Sequence, residues 1–108
     1  MPYDPGLTER VAGAFASIGH AHARQKNVFG GRGFMLGKSA AVIVWGDGLL
    51  VKTPPNEYDA ALREPGVVPF APDSERPMST WVVVPADAVA DDPQLEDWIR
   101  RGCRALGR

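Results

Sequence analysis

Apolar residues recur along this chain at two spacings, and the switch from one to the other marks its elements. Near the N-terminus Leu7, Val11, Phe15 and Ile18, with Ala14 beside them, stand three and four residues apart. That spacing predicts an amphipathic helix with one buried stripe. Asp4 and Pro5 start it, because the aspartate accepts from free N–H groups and proline tolerates the first helical position. Gly19 ends it. After the polar link HAHARQKN the pattern turns to short β-branched and aromatic runs punctuated by glycine. These predict a first strand over residues 26–36, kinked at Gly30 and Gly31, and a hairpin turn at Gly37 and Lys38. A second strand follows in SAAVIVW, then a second turn at Asp47 and Gly48, then a third strand in LLVKT. The expected unit is a three-stranded meander.

Thr53 and Pro54 are suited to cap and open a second helix through Glu57, Tyr58, Ala61 and Leu62, which Pro65 and Gly66 stop. VVPF and TWVVV read as two further strands joined by the polar loop APDSERP, with Pro69 confining the former to an edge or to irregular pairing. Asp92 and Pro93 repeat the opening of the first helix. Leu95, Trp98, Ile99, Gly102 and Leu106 form the last apolar stripe, with Cys103 on its flank. Asp91, Asp92, Glu96 and Asp97 precede Arg100, Arg101, Arg104 and Arg108, a polarity that complements the helix macrodipole. The predicted order is α-β-β-β-α-β-β-α. It defines a two-layer α+β fold with a mainly antiparallel sheet.

Composition narrows this picture. With 108 residues, 44% of them hydrophobic, the chain has apolar material for one modest core, so residues 1–108 are expected to form a single domain. A formal net charge of −1 gives no global attraction to nucleic acid or to anionic membrane. The N-terminal sequence lacks the basic start and apolar run of a signal peptide, and no apolar segment approaches the roughly 20 residues that span a bilayer. A soluble, cytoplasmic protein is expected. Cys103 is the sole cysteine, which excludes an internal disulfide and a cysteine-based metal knot.

The stretch GGRGFMLGKS ends as a phosphate-binding loop does. Arg32, however, stands where that motif needs its first glycine, and the run after Ser39 reads as a strand where the motif needs a helix. The dinucleotide pattern G-x-G-x-x-G fails at Leu36. Ser39, Ser74 and Ser79 lack a nucleophile-elbow context. His20 and His22 supply two metal ligands at most and read as solvated residues near a helix C-terminus. Cys103 has no recognisable activating base and reads as a small packed side chain. No catalytic, cofactor or metal residue is assigned.

Arg24, Lys26, Arg32 and Lys38 cluster around the first strand, with Phe29 or Phe34 available for stacking, and make a candidate interaction surface. The simpler reading is a charged sheet edge that discourages strand addition. The near-neutral balance favours the edge and disfavours direct nucleic-acid binding. Trp45, Trp81 and Trp98 lie within apolar runs and read as core or interface anchors.

Taken together, Asp4-x-x-Leu7, Phe29-Gly30-Gly31-x-Gly33-Phe34-Met35, Gly37-Lys38, Asp47-Gly48-Leu49-Leu50-Val51-Lys52, Glu57-Tyr58, Pro65-Gly66, Pro69-Phe70, Arg76-Pro77-Met78-x-x-Trp81-Val82 and Leu95-x-x-Trp98 resemble the TfoX N-terminal domain family. This is the first domain of the TfoX/Sxy regulators of bacterial competence, found also as short stand-alone proteins. The resemblance runs from about residue 3 to residue 105. Val28 stands where the family commonly has methionine, a conservative change. The resemblance implies a secretion-chaperone-like α+β fold of the order read above. It also implies a regulatory role exercised with a cyclic-AMP receptor protein and a second, C-terminal domain that these residues do not contain.

The expected function is a non-enzymatic bacterial regulatory or adaptor domain that binds an as yet unidentified protein, with homodimerisation as one form of that binding and transcription or competence as its setting. The alternative is a small-ligand-binding or enzymatic domain with a cleft beside the glycine-rich strand over residues 28–37.

Overall fold

A computed structural model describes residues 3–72, 78 and 80–108. Helix α1 spans Pro5–Ser17 and starts as expected: Asp4 accepts from the N–H groups of Gly6 and Leu7. Four strands follow, β1 (Arg24–Val28), β2 (Gly31–Leu36), β3 (Ser39–Trp45) and β4 (Gly48–Lys52). A 3-10 turn at Pro55–Glu57 leads into the short helix α2 (Tyr58–Leu62). Strands β5 (Val68–Pro69) and β6 (Trp81–Val84), a second 3-10 turn at Ala86–Val89 and helix α3 (Asp92–Ala105) complete the fold.

The six strands form one antiparallel sheet in the order β1-β2-β3-β4-β6-β5. β5, which carries Pro69, lies at the edge, where a missing N–H disrupts no ladder on the outer side. Side chains alternate between the two faces. Phe34, Val42, Val44, Leu49, Val51, Val82 and Val84 point to the face covered by α1 and α3, where they meet Leu7, Val11, Phe15, Leu95, Trp98 and Ile99. Ile43, Leu50 and Trp81 point to the other face and pack under Phe70. The architecture is two-layered, α+β, with a smaller apolar cluster on the uncovered side.

Three expectations need correction. The single kinked strand over residues 26–36 is a hairpin. Phe29 and Gly30 both take positive φ, 52° and 78°, as a two-residue turn of the primed type requires, and Val28 pairs with Gly31 on either side. The meander therefore has four strands. The second predicted turn is displaced by one residue: it uses Gly46, at φ 60°, and Asp47, while Trp45 pairs with Gly48. Gly48 is glycine for a different reason, since a Cβ there would lie 2.2 Å from the Val84 carbonyl oxygen. Thr53 caps no helix. It is fully buried, and both its N–H and its hydroxyl donate to the Thr80 carbonyl at 2.8 Å, joining β4 to the segment that enters β6.

Helix α3 is capped by Asp91, one residue before the expected cap. Its carboxylate accepts from the Gln94 N–H at 2.9 Å while the Gln94 side chain accepts from the Asp91 N–H, a reciprocal capping box. Cys103 is in the buried stripe itself. Between α3 and the sheet, Gly102 meets a β-bulge. Phe34 pairs with Val42 and Met35 with Ala40, which leaves Ala41 as the extra residue, its carbonyl facing the helix.

Ion pairs tie α2 and its approach to α3. Arg101 bonds both Glu64 and Asp97 and lies 4.1 Å over the Trp98 ring. Arg104 grips Glu57 with two bonds, 3.0 and 2.8 Å. The bond to Arg104 lowers the Glu57 carboxyl below its ordinary value of 4.5, against a smaller opposing effect of burial. A lowered carboxyl stabilises the folded chain above its unfolded pKa, and that contribution is lost as pH falls through the folded value. With Arg104 48% and Glu57 30% exposed, solvent screening limits the pair to about 0.5–1 kcal/mol. Urea titrations of Glu57→Gln should show a loss of that size at pH 7 that shrinks as pH falls below about 4.5 and is gone once pH is below the lowered value of the folded carboxyl.

Candidate interaction surface

Two turns and an edge strand place a group of apolar side chains on the uncovered face of the sheet. Phe29 sits in the β1–β2 turn with its backbone in the left-handed region and is 51% exposed. Trp45 ends β3 at 39% exposure, and Val68 in β5 is 51% exposed. Phe70 lies between them, buried, with its ring edge-to-face against Phe29 at 5.5 Å and against Trp45 at 5.7 Å. The Trp45 indole N–H donates to the Phe29 carbonyl at 3.3 Å, which joins the two turns at this end of the sheet. Together with Pro72 and Val83 these residues line an open groove of about 550 Å³.

A bulky residue with positive φ is costly, by about 1–2 kcal/mol relative to glycine. Asparagine and glycine are the residues such a turn favours. Phe29 thus occupies a position that the turn disfavours, and half its surface remains in water.

The four basic residues do not share one face. Cross-strand pairing sets Arg24 opposite Met35 and Lys26 opposite Gly33, on the uncovered side. Arg32 faces the helix side, where it donates to the side-chain carbonyls of Gln25 at 3.1 Å and Asn27 at 3.0 Å. Lys38 is in the β2–β3 turn, next to Gly37, whose carbonyl accepts from Arg24 at 2.7 Å. Among the described residues none of the four makes an ion pair. The aromatic group beside them was only half legible. Phe29 reads as a stacking side chain and Trp45 as an anchor, but β5 lies at the edge opposite β1, and Val68 and Phe70 meet them only through packing on the uncovered face.

The glycines of β2 open no cleft. A Cβ on Gly31 would lie 2.3 Å from the Val44 carbonyl oxygen, and one on Gly33 would lie 3.0 Å from a Val28 methyl group. The chain's own atoms fill those positions. Trp81 and Trp98 are buried at 8% and 2% exposure, so Trp45 is the tryptophan that reaches solvent. Burial pushes the Cys103 thiol up, with the charge of Arg104 opposing in part, which disfavours the nucleophilic thiolate. The rings of His20 and His22 are 5.5 Å apart, and His20 Nδ1 is buried rather than solvated. No group of three or more His, Cys, Asp or Glu side chains is placed to hold a metal among the described residues. Ser74 and Ser79, and Arg76 and Pro77 of the sequence motif, lie outside the described residues.

An antiparallel sheet with both long helices on one face defines the chain as a small two-layer α+β protein, distinct from the doubly wound nucleotide-binding architecture that its Gly-Lys-Ser brings to mind. The family model of the TfoX N-terminal domain matches residues 14–106, and the chain belongs to that family. No curated protein and no solved structure matches it. Membership supports a regulatory, competence-related domain at the level of the class. No helix among the described residues is long and apolar enough to cross a membrane.

Proposed function

We propose that this chain is a non-enzymatic, cytoplasmic bacterial regulatory or adaptor domain that acts by binding protein through the Phe29, Trp45 and Val68 face. Phe29 carries this reading: its large ring is held in solvent by a backbone conformation that a phenylalanine adopts at a cost. Exposed aromatics over an apolar floor are the composition of an interface centre. Arg24 and Lys26 share this side of the sheet, Arg24 at its opposite end on the Gly37 carbonyl. Self-association through this face is the first form of binding to test, and transcription or competence control is the setting that the family suggests.

Phe29→Asn separates binding from folding. Asparagine suits the turn, so stability should hold or rise by about 0.5–1 kcal/mol, while dimerisation in light scattering, or partner capture, should fall at least about tenfold, as for the loss of an aromatic anchor. A strictly monomeric parent that captures no protein would sink the proposal. So would a Phe29→Asn variant that binds as the parent does.

A further inference from the structure

We propose that a notch between the end of α1 and the last turns of α3 binds a phosphate group, either the free ion or the head of a monoester. The notch, about 230 Å³, is lined by Ile18, His20, Arg100, Cys103, Arg104 and Arg108. It lies on the helix side of the sheet, away from the aromatic groove, and the proposal is independent of the protein-binding reading. Three arginines and a histidine line it, Arg104 with its guanidinium turned to Glu57, and no Asp or Glu side chain does.

The ordinary explanation for arginines here is that they complement the negative ends of two helices. Those ends are already served by the backbone. Ile18, Gly19 and His20 donate their N–H groups to carbonyls of Ala14, Ala16 and Phe15, and Leu106, Gly107 and Arg108 donate theirs to Cys103 and Arg104. Nor are the side chains all consumed by ion pairs. Arg104 is committed to Glu57, but Arg100 reaches Glu96 only at 3.9 Å, and Arg108 has no carboxylate side-chain partner among the described residues. Arg108 instead rests on the β2–β3 turn, 3.1 Å from where a Cβ on Gly37 would stand, so the turn holds it at the rim.

His20 supplies the second, independent observation. Its Nδ1 is buried and has no hydrogen-bond partner among the described residues. A buried polar nitrogen is ordinarily bonded, and leaving one unpaired is costly. An anion in the notch would be held by the planar forks of Arg100 and Arg108 in the bidentate geometry that suits phosphate, and by the His20 ring once it turns its unpaired N–H toward the notch. A compact tetrahedral anion fits the size of the notch and its mainly basic lining.

Potassium phosphate titrated into isotope-labelled protein at constant ionic strength should give saturable NMR shifts at the backbone N–H of His20, Cys103 and Arg108 and at the His20 ring. Glycerol phosphate separates the two sources: tighter binding than inorganic phosphate supports a monoester ligand, and equal or weaker binding supports the free ion. Arg100→Gln with Arg108→Gln, both at exposed positions, should weaken binding about tenfold or more while leaving the melting temperature unchanged. The proposal is overturned if potassium chloride moves the same signals equally, if phosphate gives no saturable shift, or if the double variant binds as tightly as the parent.

Discussion

Replacing Gly102 with alanine is expected to destabilise the chain by about 3 kcal/mol, although alanine is the better helix former by roughly 1 kcal/mol. The reason is the seat of α3. A Cβ at residue 102 would lie 2.5 Å from the carbonyl oxygen of Ala41 and 3.1 Å from its carbonyl carbon. Both are backbone atoms of the β3 bulge, with no rotamer to turn aside. Relief requires α3 to lift from the sheet, and that lift would loosen Leu95, Trp98, Ile99 and Cys103 together. Gly13 in α1 is the internal control, because a Cβ there meets nothing within 4 Å. Gly13→Ala should stabilise by about 0.5–1 kcal/mol. Urea unfolding of the two variants beside the parent tests the pair. Equal, small effects would mean that α3 does not sit on Ala41.

That seat also shows which parts of the fold were open to reading in the sequence. Gly102 stood in the apolar stripe of α3, so its burial was legible, but its partner was not: a bulge at Ala41 depends on register with Phe34 and Met35, a non-local fact that no local pattern encodes. The long helices were legible for the opposite reason, since Asp4, Pro5, Asp92 and Pro93 are local start signals and the stripes are local periodicities. The hairpin at Phe29 and Gly30 was misread as a kink because its first central residue is phenylalanine, the wrong residue for a turn that needs positive φ. The violation of turn chemistry hid the turn, and the same violation marks Phe29 as the residue with something to do beyond folding. The four basic residues form a group only in sequence. Strand alternation then sends Arg32 to one face and Arg24 and Lys26 to the other, while the arginines that do converge, Arg100 and Arg108, meet His20 only through packing of the chain's two ends.

Phe34→Ala is expected to cost about 3–5 kcal/mol, a large share of the roughly 5–15 kcal/mol that holds a chain of this size folded. Phe34 is 1% exposed, and its ring stacks on that of Phe15 with centroids 5.3 Å apart and planes 9° from parallel. The pair joins α1 to β2 across the core. Neighbouring β-branched side chains have few rotamers with which to fill the resulting cavity. A double-mutant cycle with Phe15→Leu should return a coupling of about 0.5–1.5 kcal/mol, the ring-to-ring part of the interaction. Trp45→Ala removes a larger ring and should cost less, about 1–2 kcal/mol, because Trp45 is 39% exposed and loses chiefly its edge contact with Phe70 and one exposed hydrogen bond. A large loss at Phe34 beside a small one at Trp45 separates the ring that holds the fold from the ring open to a partner. Equal losses would place Trp45 in the core and remove the physical basis for reading its face as a binding surface.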